Sequence, residues 1–94
     1  MTRDPDLDRL EEFISELDEE TDTFSALMRE HLDAARFYLL GAMPHEYEFE
    51  LRLAKDLLPQ LENEGLQTRI FDFLDSRESR IAKQLAHVSG GNSL

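Results

Sequence analysis

The chain has no cysteine and no tryptophan, and only four glycines and three prolines among its 94 residues. The lack of Cys excludes disulfides, thiolate metal sites and cysteine nucleophiles. It favours a reducing compartment, so a cytoplasmic location is the expectation. Two of the glycines, Gly90 and Gly91, come after the last predicted helix. No glycine-rich loop therefore feeds a helix N-terminus to cradle a phosphate. Long apolar runs are also missing. The longest, Phe37 to Met43, falls far short of the ~20 residues that span a bilayer. The opening stretch, MTRDPDLDRLEEF, is acidic and lacks the apolar segment of a secretory signal.

Positive charge is scarce too. Ten Lys and Arg face twenty-one Asp and Glu, for a net charge of −11. Residues 1–33 hold twelve of the acids and three of the bases. Such a surface is repelled by nucleic acid backbones and by anionic lipid, and it suits basic partners or a salty cytoplasm. Only two bases, Lys55 and Lys83, are lysines. That composition fits a halophilic source and equally fits a high-GC genome. A chain this short allows one domain and one modest core, hiding about 60–65% of its unfolded surface. An apolar stripe that turns away from that core is therefore informative.

What is present is apolar periodicity near 3.6, with no sustained alternation of period two. Four helices follow. The first runs from about Pro5 to Asp18, capped by Asp4, with Leu7, Leu10, Phe13, Ile14 and Leu17 on one face. The second runs from Phe24 to about Leu40, with Thr23 as its expected cap. Its broad face carries Phe24, Leu27, Met28, His31, Leu32, Ala35, Tyr38 and Leu39, while Phe37 and Leu40 point to the opposite side. The third starts at Pro44 and is expected to reach Asn63, kinked by Pro59 or split before Leu58. Gly65 is the expected left-handed stop, in a Schellman ending. The fourth runs from about Thr68 to His87, with Ile70, Leu74, Ile81, Leu85 and Val88 on its face. The links are short, and short links favour antiparallel neighbours. The expected fold is all-α: a small antiparallel helical bundle of three long helices plus a shorter N-terminal helix. Residues 1–88 form the domain and 89–94 a flexible tail.

Nothing in the pattern specifies a reaction, so an enzyme is not the expected reading, and no cofactor is expected. No Glu-x-x-His pair of the di-iron bundle type occurs. Glu46 and Glu50 lie one turn apart and, with His31, are the residues that a metal-binding or enzymatic bundle would use. The plainer reading makes the carboxylates a solvated rim and His31 a partly buried imidazole bonded to a tyrosine or a carboxylate of another helix. Arg77 falls on the core-facing arc of the last helix. A buried guanidinium needs a partner, so Arg77 snorkels, pairs within the chain, faces another protein or holds an anion.

The strongest functional hint is surplus apolar surface. Phe37 and Leu40 on one helix, and Phe49, Leu53 and Leu57 on the next, exceed the narrow face that a three-helix monomer buries. They are covered by helix 1, by a second copy, or by another protein. With Arg77, these residues are the candidate interaction site. The leading expectation is a small acidic helical protein-interaction module, self-associating as a homodimer, acting as a regulator or adaptor. The acidic first third also allows a decoy of nucleic acid that occupies a basic protein. No direct phosphate binding to nucleic acid and no membrane partner is expected.

Overall fold

The computed structural model describes residues 4–76, and every regular element among them is helical. Helix α1 spans Pro5–Asp18, α2 spans Thr23–Leu40 and α3 spans Pro44–Leu57, followed by a 3-10 turn over Leu58–Gln60. A fourth helix, α4, begins at residue 64 and is described as far as 76. Arg77, the C-terminal half of the expected last helix and the expected tail lie outside the described residues.

The helix starts follow local hydrogen-bond chemistry. Asp4 caps α1, its carboxylate accepting from the Asp6 amide at 2.9 Å, and Pro5 supplies the fixed φ of a first helical turn. The cap of α2 is Asp22 rather than the expected Thr23. Its carboxylate accepts from the Ser25 amide at 3.0 Å and from the Ser25 hydroxyl at 2.7 Å. That second bond satisfies Ser25, which is buried.

The Schellman ending expected at Gly65 occurs instead at the end of α2. The Met43 amide donates to the Tyr38 carbonyl at 2.9 Å and the Ala42 amide to the Leu39 carbonyl at 3.2 Å, the two bonds that define the motif. The left-handed position is Ala42, with φ of 55°, while Gly41 before it is at −84°. A side chain thus occupies the position where glycine is usual, at a cost of about 1–2 kcal/mol.

Pro59 sets the end of α3. It has no N–H to continue the ladder, and the Lys55 carbonyl accepts from the Leu58 amide in a tighter turn. The helix therefore stops at Leu57, the split before Leu58 that was one of the two expected outcomes, and it does not reach Asn63. The Leu58 carbonyl accepts from the Leu61 amide and from the Gln67 side chain, which ties the turn to α4. Asn63 is then free to cap α4, its side-chain oxygen accepting from the Leu66 amide at 3.0 Å. Gly65 sits inside the first turn of α4 without a positive φ, and the helix starts ahead of the expected Thr68.

One core joins all of these elements. Leu10, Phe13 and Leu17 of α1 pack with Met28, Leu32 and Ala35 of α2, Tyr47, Leu51 and Ala54 of α3, and Leu66, Ile70, Phe73 and Leu74 of α4. Phe13 and Phe73 meet edge to face at 5.7 Å between centroids, joining α1 to α4. Asp6 is buried on the same side and accepts from the Tyr47 hydroxyl at 3.3 Å. In the sequence this residue reads only as a first-turn acid favoured by the helix dipole.

Candidate functional site

The buried stripe of α2 runs through Ser25, Met28, Leu32 and Ala35. At 100° per residue this leaves Leu27, His31 and Tyr38 along one edge, with Glu30, Ala34 and Phe37 beyond them. On α3 the buried stripe is Tyr47, Leu51 and Ala54. Glu46, Glu50, Leu53 and Leu57 then lie along its edge, and Phe49 lies further out. These two edges meet. His31 Nδ1 and Glu50 Oε2 are 2.8 Å apart, joining the helices with both side chains mostly buried. The expected imidazole–carboxylate bond from another helix is therefore the one formed.

Beyond that pair the helices open into a groove of about 280 Å³ lined by Tyr38, His45, Glu46, Phe49 and Glu50. The Phe37 ring packs edge to face on Tyr38, 5.7 Å between centroids, and extends the aromatic wall outward.

The exposures of the candidate residues differ. Phe37 is 68% exposed, Leu40 64% and Phe49 59%. Leu53 is half-buried, and Leu57 is half-buried against the core. Phe49 lines the groove and Phe37 packs on its Tyr38 wall, which puts these two on one side of the α2–α3 pair, while Leu53 shares that edge of α3 by helical spacing alone. Leu40 is exposed near the turn but does not line the groove. Arg77 lies outside the described residues. Helix α1 does not enclose Phe37, Leu40 or Phe49.

Two exposed residues escape sequence reasoning. Phe24 and Leu27 read as core, yet they are 40% and 37% exposed. The buried stripe of α2 runs through Ser25, Met28, Leu32 and Ala35, and Phe24 and Leu27 fall at its edge.

Charge is segregated around the molecule. Between positions 4 and 76 there are twenty acids and six bases. Four of those bases pair with acids of α1: Arg9 with Glu12 at 3.2 Å, Arg29 with Asp18 at 3.7 Å, Arg36 with Glu11 at 3.3 Å and Arg69 with Glu16 at 2.6 Å. The double hydrogen bond from Arg69 holds the Glu16 carboxyl below the usual carboxylate range. A fifth base, Lys55, sits near the Phe71 ring. None of the six lines the groove, whose charged residues are Glu46 and Glu50 beside the two imidazoles.

Among the described residues no group of three or more His, Asp or Glu side chains is placed to hold a metal ion. No described helix is long and apolar enough to cross a membrane. No family model, curated protein or solved structure matches the chain.

Proposed function

We propose that this chain is a small protein-interaction module, a cytoplasmic regulator or adaptor, that binds through the open side of its α2–α3 pair. Residues 1–88 form the module, an antiparallel bundle of the kind that short interhelical links favour. The observation that carries the reading is the exposure of Phe37 and Phe49 beside a groove whose walls are aromatic. Monomeric proteins seldom leave large apolar side chains grouped around a concavity without a partner for them. Covering a side chain of this size is worth about 1.5–3 kcal/mol, so a few such residues anchor a complex. The occupant suggested by the sequence alone is a second copy of the chain.

The test is photo-crosslinking in the cells that make the protein, with a benzophenone amino acid placed at Phe49 and, as control, at Glu12 on α1. The proposal expects a discrete adduct from position 49 and none from position 12. An adduct of twice the 10.9 kDa chain mass identifies a second copy, and another discrete mass identifies a different protein. No adduct from position 49, or equal adducts from both sites, contradicts the proposal.

A further inference from the structure

Resting on that reading of the face, we infer that its occupant is a basic amphipathic helix of another protein rather than a second copy of this chain. Charge complementarity selects the occupant. The face has an apolar interior, made of Leu27, Phe37, Tyr38, Phe49 and Leu53. The carboxylates that line its groove are Glu46 and Glu50, and no lysine or arginine of residues 4–76 lines it, Arg52 following Phe49 by three residues on α3. Four of the six bases in that range are engaged with acids of α1, and none of the six lines the groove.

Two copies seated face to face would set this acidic rim against its own kind, and like charges across an interface disfavour pairing. A helix with an apolar stripe and flanking Lys or Arg places its stripe on Phe37, Phe49 and Leu53. Its cations then meet the exposed Glu46, Glu50 being held by His31. The shape is suitable as well, because a groove between two helices is the usual seat of an amphipathic helix read at i, i+3, i+4 and i+7. The aromatic wall adds a further attraction for an incoming Arg or Lys, whose cation is stabilised over a ring face.

The experiment uses the full chain and three labelled helical peptides of roughly 18 residues, about the length of α2. The first has leucines on one face and lysines beside them. The second has the same composition scrambled, so that the stripe is lost. The third has every lysine replaced by glutamate. Binding is read by fluorescence anisotropy at low and at high salt. The inference expects the first peptide to bind and the scrambled one to bind at least about tenfold more weakly. The acidic peptide should not bind. Raising the salt should weaken the first peptide several-fold. The double variant Phe37→Ser/Phe49→Ser, which keeps the net charge, should lower affinity by about tenfold or more. The variant Glu46→Gln should flatten the salt dependence.

Equal binding of the first two peptides, or no effect of the double variant, overturns the inference, since the attraction is then unspecific charge. Binding of the acidic peptide overturns it as well. If the peptides fail while the position-49 crosslink yields an adduct of twice the chain mass, the basic-helix inference falls and the interaction reading stands. If both fail, both readings fall.

Discussion

Asp22 concentrates much of the local specification of α2 in one side chain. The Ser25 hydroxyl, and then the Ser25 amide, hold its carboxyl below the ordinary value of 3.8. A depressed carboxylate contributes stability that is complete above the unfolded pKa and is lost as the pH falls through the lower folded value. Asp22→Ala should therefore lower the melting temperature at pH 7, and the gap to the parent should close as the pH falls below 3.8. A gap that is constant from pH 7 to pH 2 would show that the carboxylate is not what matters. Ala42 presents the opposite case, a residue that its backbone disfavours. Ala42→Gly relieves the left-handed φ of 55° and should stabilise the chain by about 1 kcal/mol in urea unfolding. No gain would mean that the turn has another conformation in solution. The position was not legible in the sequence, because Gly41 stands immediately before it and draws attention to the wrong residue.

At the scale of elements, the boundaries of α1 and the start of α3 were legible because a proline follows a capping or turn residue in each case. The end of α3 was harder to read. Pro59 signalled a break, but a kinked helix and a terminated one share the same apolar spacing. The 3-10 turn is selected by bonds to Leu58, and the one from Gln67 comes from another element. The start of α4 just after its cap Asn63 follows from that choice. Asn63→Ala should cost about 1 kcal/mol, as loss of a helix cap does, whereas Thr68→Ala should cost little. The reverse order in denaturant unfolding would place the helix start nearer Thr68.

The phenylalanines separate core from surface at the same scale. Phe13 is fully buried against Phe73, while Phe37 and Phe49 stand in the open. Phe13→Ala should cost about 3–5 kcal/mol, and Phe37→Ser and Phe49→Ser should stay within about 0.5 kcal/mol. A large loss at Phe49 would mean that the solvent-facing side of α3 is buried in solution and is not a docking face.

Across the whole molecule, two asymmetries coincide. The acids of α1 gather four of the basic side chains, and the opposite flank of the α2–α3 pair keeps its aromatics exposed with carboxylates around them. The sequence disclosed the surplus of apolar residues, because Phe37 and Phe49 fall outside the main helical stripes by simple counting. It did not disclose the charge segregation. That depends on long-range pairs such as Arg36 with Glu11 and Arg69 with Glu16, whose partners are far apart in the chain. Nor did it distinguish Leu57, which the core half covers, from Phe49, which it does not.

The most direct test of the proposed face is amide chemical-shift mapping of the isotopically labelled full chain during titration with the leucine–lysine helical peptide. The account predicts that shifts concentrate at Leu27, His31, Tyr38, Phe49, Glu50 and Leu53, while Leu10, Phe13 and Leu17 stay fixed. Shifts confined to α1, or a spectrum that does not move, would contradict it.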